Sequence, residues 1–289
     1  MKRAAILVVT LALVTLASAQ TQTPPAQAGA PATTPPPQVG KRPPQAKTQA
    51  EFDAYKVAAA NTDPVALEKA ADDFATKFPE SELRILLYRT AMHSYQSTNK
   101  AEQMMEMGRK VLKIDPNDPE ALVGVAQVLA ERTRDSDLDK DQRLDEGMKL
   151  AQHSVETTDT DITVPPGTPQ DKIDEYKGFL RSNAYYVMGT IQYTREKYSD
   201  AEGYFRKSLD AFPSQPDPLA VLRLALSLDK QEKYPEALKF ANQAVQMTES
   251  SQGSTLATLS RNERDRLVQL TGGTPAKPPA SAQNPAPKN

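Results

Sequence analysis

The sequence repeats itself at an interval of 36 residues, and this periodicity limits the fold more than any other feature. Residues 183–202 and 219–238 each contain an apolar segment, a Glu-Lys-Tyr turn and a second apolar segment. In each copy a small residue of the first segment precedes one of the second by 12 residues: Gly189 and Ala201, then Ala225 and Ala237. Small residues at matched places let two helices approach closely. A repeat of this length is typical of proteins that stack one supersecondary unit on the next.

The pattern resembles the tetratricopeptide repeat (TPR) family, whose unit of about 34 residues is a helix-turn-helix. An earlier copy spans about residues 85–118, and in the next copy Ala126 follows Met92 by 34 residues, with its second helix delayed by nine. A weaker pair occupies about residues 50–78. The resemblance implies an all-α, right-handed α-solenoid over residues 49–270, with about four clear repeats, the weak N-terminal pair and a capping helix at 254–270. An unrelated helical bundle is the alternative for the same periodicity.

Proline is concentrated at the two ends of the chain. Thirteen of the 24 prolines lie in residues 21–48 and 271–289, and neither segment contains an acidic residue. This composition is typical of solvated, disordered segments. We predict a disordered Pro-rich linker at 20–48 and a disordered Pro-rich tail at 271–289.

Residues 1–19 have the pattern of a secretory signal peptide. Lys2 and Arg3 precede an apolar run over residues 4–16, and Ala17-Ser18-Ala19 suits a signal peptidase. The run is shorter than the roughly 20 residues that an uncleaved membrane anchor needs. No Cys follows it, so the chain is not a lipoprotein. We expect a periplasmic or secreted, bacterial protein without a membrane span after cleavage.

Composition excludes much chemistry. The chain has no Cys and only two His, so thiolate nucleophiles, zinc-thiolate sites and three-His metal sites cannot form. Of the 35 basic residues, 28 lie in residues 49–270, against 37 acidic ones, so this region carries a net charge of −9. An acidic body is a poor nucleic-acid binder. We predict no enzyme activity, no cofactor and a protein or peptide partner, and we leave the oligomeric state open.

The groove of a TPR solenoid is lined by first helices, so helical spacing predicts which residues face it. We expect the partner-binding groove to include the following residues: Tyr186, Thr190, Tyr193, Leu222, Arg223, Leu226, Lys230, Arg89, His93 and Gln127. Such a mixture is favoured at protein interfaces. Some TPR proteins clamp a carboxylate with Lys, Asn and Arg, but here Thr90, Gly124 and Val187 stand where Asn is expected. The predicted partner is therefore a helix or extended peptide rather than a clamped C-terminus, and envelope assembly is a process that such a scaffold could serve.

Two segments suggest other functions. Acids at Asp135, Asp137, Asp139, Asp141 and Glu146 have the ligand spacing of a calcium loop, although Lys140 replaces the usual Gly. A calcium-responsive or small-ligand-binding protein using residues 135–146 is thus the alternative function, and a solvated acidic loop is the simpler interpretation. Residues 157–173 form a long insertion, which is either a lid over the groove or a spacer.

Overall fold

The computed structural model describes residues 40–251 and 253–273, and this part of the chain is all-α. Its helices are α1 (Gln49–Ala59), α2 (Pro64–Lys77), α3 (Arg84–Ser97), α4 (Ala101–Ile114), α5 (Pro119–Arg132), α6 (Lys140–Thr157), α7 (Gln170–Thr194), α8 (Tyr198–Ala211), α9 (Pro218–Asp229), α10 (Tyr234–Met247) and α11 (Thr255–Leu270). The predicted signal peptide, linker residues 20–39 and tail residues 274–289 lie outside the described residues.

The chain divides into two compact units, one ending at Val187 and one beginning at Met188. In the first unit α1 packs on α2, α3 on α4 and α5 on α6, and each pair contacts the next through α2 and α3 or α4 and α5. In the second unit α8 packs on α9, α9 on α10 and α10 on α11. Each unit is therefore built from helix-turn-helix neighbours, as the periodicity predicts.

Three of the helices begin at an Asp-Pro pair. The carboxylates of Asp63, Asp118 and Asp217 accept hydrogen bonds from backbone N–H groups in the first turns of α2, α5 and α9, at 2.8, 2.9 and 2.9 Å. Proline then occupies the first helical position, where no N–H is needed. These caps explain why the helices start at Pro64, Pro119 and Pro218.

The turns inside three pairs share one backbone conformation. Asn99, Glu196 and Glu232 adopt left-handed φ values of 61°, 60° and 61°. The N–H of the next residue, a Lys in each turn, donates to a carbonyl five residues back, at 2.8, 2.9 and 3.0 Å. This bond caps the C-terminus of the first helix. The short turn recognised in the sequence is thus one geometry used three times.

Small residues allow close helix contact, as the repeat pattern requires. In the second unit a Cβ atom at Gly189 of α7 would lie 2.7 Å from the Phe205 ring of α8, and Phe205 is fully buried. In the first unit a Cβ at Gly108 of α4 would lie 2.7 Å from Val125 of α5. Glycine is needed at both places because the neighbouring side chain occupies the space of a methyl group.

The structure differs from the sequence prediction at the edge of the linker. Residues 40–48 pack on the first unit instead of forming a solvated segment, and Lys41 makes a parallel backbone bridge to Thr163. Composition alone did not reveal this, because the contacts are with residues far away in the chain.

The insertion is also shorter than predicted. Helix α6 ends at Thr157 and α7 begins at Gln170, so only residues 158–169 connect them. Helix α7 extends towards its N-terminus because Ile173 and Leu180 bury their side chains. In the described residues no helix combines the length and the apolar character needed to cross a membrane.

Candidate partner-binding surfaces

In the second unit, Arg223 of α9 lies over the ring of Tyr193, near the end of α7. The guanidinium carbon is 5.6 Å from the ring centroid. Tyr198 packs edge-on against the same ring, with 5.3 Å between centroids and an interplanar angle of 68°. Burial raises the pKa of Tyr193, and the positive charge of Arg223 opposes this shift. Tyr193 stacks on the arginine, Tyr198 supports the Tyr193 ring, and all three side chains are half-buried.

Leu226 and Lys230 continue this surface along α9. They follow Arg223 by three and seven residues, so the three side chains lie on one side of the helix. Leu226 is half-buried and Lys230 is exposed. Within the residues that the structure describes, neither Arg223 nor Lys230 forms an ion pair. We call Tyr193, Arg223, Leu226 and Lys230 the Tyr–Arg face, which offers aromatic and apolar contact beside these two cations.

Three predicted groove residues are buried instead. Tyr186 and Thr190 are 4% and 5% exposed, and Leu222 is 2% exposed and packs with Val221 and Ala244. The sequence prediction assumed that each first helix buries only one row of its side chains. In fact α9 buries seven of its twelve residues, because a first helix contacts more than one neighbour. These three side chains cannot contact a partner without a rearrangement.

In the first unit, Arg89 and His93 of α3 meet acids at the start of α5. The Arg89 guanidinium is hydrogen-bonded to Asp118, which is 2% exposed, and the Nε atom of Arg89 lies 3.7 Å from Glu120. His93 Nε2 lies 2.7 Å from a Glu120 oxygen. Asp118 thus caps α5 with one oxygen and binds Arg89 with the other. These charged contacts connect α3 with α5, which are the first helices of two neighbouring helix pairs.

The electrostatics of this cluster follow from its pairing. Burial alone would raise the pKa of Glu120, but the charges of His93 and Arg89 and hydrogen bonds from His93 and Tyr176 outweigh it and lower the pKa to about 2. Burial lowers the pKa of His93, and Glu120 more than reverses this, so the net shift is upward.

A cavity of about 20 Å³ lies between Arg89, Glu120, Tyr176 and the insertion. A space of that volume is large enough for one water molecule. Asp118, Glu120 and Tyr176 were not predicted, because the Asp118-Pro119 pair indicates only a helix start and no local pattern links Tyr176 to it.

The remaining predicted groove residue, Gln127, is half-buried on α5. Its side-chain amide donates to Glu131 one turn later, at 3.1 Å. Gln127 therefore lies on a polar side of α5 and joins neither the Arg89 cluster nor another predicted residue.

The acidic segment does not form a calcium loop. Helix α6 begins at Lys140, so Asp141 and Glu146 lie on a helix instead of in a twelve-residue loop. The Lys140 ammonium binds Asp135 at 2.8 Å, the Asp137 carboxylate accepts from the backbone of Arg134, and Glu146 pairs with Arg109 of α4 at 2.7 Å. Asp139 precedes α6 without a capping hydrogen bond. In the described ranges, no group of three or more His, Asp or Glu residues is arranged to hold a metal ion.

Solved structures of three proteins share this arrangement of helices. PilW, described as a widely conserved type IV pilus biogenesis factor, has a TM-score of 0.52 and 17% identity over 78% of this chain and 87% of PilW. A tetratricopeptide repeat protein from Parabacteroides merdae has a TM-score of 0.52 and 14% identity over 78% and 75% of the two chains. The chain has the tetratricopeptide repeat fold.

PilF from Pseudomonas aeruginosa is similar to the same extent, with a TM-score of 0.51 and 17% identity over 78% of this chain and 85% of PilF. No protein-family model matches the sequence, and no curated protein matches it. The TPR resemblance seen in the repeat pattern is therefore confirmed by the fold. In TPR terms, Tyr193, Arg223, Arg89 and His93 all belong to first helices of the repeats.

Proposed function

We propose that this TPR protein is an exported scaffold that binds a partner helix or extended peptide through the Tyr–Arg face. The main support for this proposal is that Arg223 stacks on Tyr193 beside Leu226 and Lys230. Tyrosine and arginine are enriched among residues that dominate binding energy at interfaces. The stacked arginine is already ordered, so a partner that uses it loses less side-chain entropy.

The face favours a partner segment with apolar and acidic side chains. Tyr193 and Leu226 supply apolar contact, while Arg223 and Lys230 are placed to pair with carboxylates. Nearby acids do not compete, because Asp229 and Glu263 are bound by Arg266. A partner carboxylate would therefore meet two cations whose neighbouring acids are already paired.

The proposed place of action is the cell envelope. The support is the sequence of residues 1–19, in which two basic residues, an apolar run and Ala-Ser-Ala follow one another. PilW gives the TPR fold a precedent in pilus biogenesis, which agrees with a role in envelope assembly. The proposed role is binding without catalysis or a cofactor.

Site-specific cross-linking tests the proposal. A photo-reactive amino acid at Leu226 should cross-link one envelope protein, and the Tyr193→Ala, Arg223→Ala double variant should reduce the yield at least tenfold. The matched control is Tyr204→Ala with Lys207→Ala, which removes an aromatic–cation pair of the second helix α8, where the ammonium lies 5.3 Å from the ring centroid. Equal loss of cross-linking in both variants, with native helicity, would contradict the proposal.

A further inference from the structure

Residues 40–47 form a non-helical strap that lies on the first unit. The Lys41 N–H donates to the carbonyl of Ile162 at 2.8 Å, and the Val164 N–H donates to the carbonyl of Lys41 at 3.5 Å. Gly40 has a φ of 94°, and a Cβ atom there would overlap the Ile162 oxygen. The backbone approach thus requires glycine at position 40.

Each charged side chain of the strap binds an acceptor of the helical body. The Lys41 ammonium lies 2.8 Å from Asp115 and 2.7 Å from Asp161. Arg42 makes two parallel hydrogen bonds to Glu82, at 2.7 and 2.6 Å. Three further hydrogen bonds hold the strap: the Gln45 N–H to Glu82 at 3.2 Å, the Lys47 N–H to Glu51 at 2.8 Å and the Lys47 ammonium to the Glu80 carbonyl at 2.9 Å. We call Glu82, Asp115 and Asp161 the acidic track.

The acidic track follows the connections between helix pairs. Glu82 lies between α2 and α3, Asp115 between α4 and α5, and Asp161 between α6 and α7. An extended segment from Lys41 to Lys47 spans up to about 20 Å. The strap therefore runs from the third connection back to the first, where α1 begins. Three helix pairs contribute to one linear site for a peptide.

The strap is held by contacts that are individually weak. The Lys41 and Arg42 side chains are 37% and 58% exposed, and exposed ion pairs contribute only about 0.2 to 1 kcal/mol each. Pro43 and Pro44 favour an extended backbone and have no N–H groups to satisfy. When the strap leaves, Glu82, Asp115 and Asp161 lose their cationic partners within a unit of an acidic protein. A basic extended segment is the ligand that restores those contacts.

We propose that the acidic track is a docking site for a basic, proline-containing extended segment of a partner protein, and that the strap occupies it in the unbound chain. The site goes beyond the proposed function, because it uses residues of the first unit and needs no contact with the Tyr–Arg face. Tethering gives the strap an effective concentration in the millimolar range. A partner must therefore compete with the strap, which keeps the track closed to weak ligands.

Opening the strap in the full chain tests the proposal. Lys41→Glu with Arg42→Glu reverses both charges, and we expect the hydrogen-bonded amides of residues 41, 45 and 47 to exchange hydrogen at least tenfold faster than in the parent. A fluorescent peptide with the sequence of residues 40–48 should bind this variant at least tenfold more tightly than the parent. Adding Glu82→Gln and Asp115→Asn should abolish that binding. The control Lys56→Glu with Lys69→Glu changes two exposed lysines that pair only within their own helices, and it should behave like the parent.

Several results would overturn the proposal. Equal peptide binding to the parent and the opened variant, persistence of binding after the track carboxylates are neutralised, or no binding at millimolar peptide would each do so. A concentration-dependent dimer of the parent that is lost in the opened variant would assign the track to the strap of a second copy instead. If the double reversal lowers helicity, the milder Arg42→Ser variant, which removes only the paired hydrogen bonds to Glu82, replaces it in the same comparison.

Discussion

At the scale of single residues, two glycines, one on α7 and one on α8, differ in the space that their surroundings leave for a side chain. Gly189 has no space for a methyl group because of Phe205, whereas nothing lies within 4 Å of a Cβ at Gly203. We expect Gly189→Ala to lower the free energy of unfolding by about 1 to 2 kcal/mol, because overpacking exceeds the gain in helix propensity. Gly203→Ala should raise it by about 0.5 to 1 kcal/mol. Urea unfolding measures both, and a stabilising Gly189→Ala would contradict the close contact.

His93 should make stability depend on pH. Its pKa is raised in the folded state by Glu120, so its contribution is complete below its ordinary value of about 6.5 and is lost as pH rises through the folded value. The groups facing it are Glu120, Arg89 and Asp118, and Glu120 stays ionised in this range because its pKa is about 2. We expect His93→Gln to cost about 1 kcal/mol at pH 5.5 and less at pH 9.

Unfolding of the parent and the variant at the two pH values measures this effect. His153→Gln is the control, because His153 is more exposed, its nearest partner is the neutral Asn117 at 2.8 Å, and Glu156 lies farther away at 3.4 Å. A difference between parent and His93→Gln that grows as pH rises would contradict the assigned pairing.

At the scale of elements, Asp118 and Asp63 are the same kind of helix cap with different surroundings. Both accept a hydrogen bond from the first turn of a helix, but Asp118 also binds Arg89 in a buried ion pair. Asparagine keeps the cap and removes the charge. We expect Asp118→Asn to cost about 2 to 4 kcal/mol more than Asp63→Asn, because it leaves Arg89 without its closest carboxylate. Equal costs, measured by urea unfolding, would show that the ion pair contributes nothing.

The elements that could be predicted depend on interactions between residues that lie close together in the sequence. The Glu-Lys-Tyr segments mark the turn between two helices, and the matched Gly189 and Ala201 mark a helix contact within one repeat. These signals lie close together in sequence, so the all-α repeat fold could be read from them. The register of each helix within its repeat could not, because burial of Leu222 depends on Ala244 and other residues of a different helix.

The candidate site was predicted less well than the fold, for the same physical reason. Tyr193 and Arg223 were chosen from helical spacing, and the structure places them in contact. Their partner in the packing, Tyr198, was assigned only to the turn. The Arg89 cluster and the strap depend on contacts between different repeats, such as Lys41 with Asp115 at a separation of 74. No local pattern records pairs of that kind.

At the scale of the whole molecule, the TPR fold confines the effect of a mutation to neighbouring helices. Leu267 of α11 is fully buried, and α11 packs mainly on α10. We expect Leu267→Ala to cost about 2 to 4 kcal/mol and to speed amide hydrogen exchange in α9 to α11. Exchange in α3 and α4 should not change, because stability in repeat proteins depends on nearest neighbours.

Exchange measured by mass spectrometry separates these regions. Leu259→Ala is the control on the same helix, where the side chain is 49% exposed, and it should cost less than about 0.5 kcal/mol. Faster exchange throughout residues 84–114 in the Leu267→Ala variant would mean that the repeats unfold together.

The strap also determines an order of folding. Helix pairs of a repeat protein form from contacts close in sequence, and such local topologies fold quickly. Lys41, in contrast, requires Asp115 and Asp161, which the ribosome adds much later. The segment that is made before the helices therefore docks after three helix pairs have formed. Docking of the strap therefore requires that the first unit has already folded as far as α7.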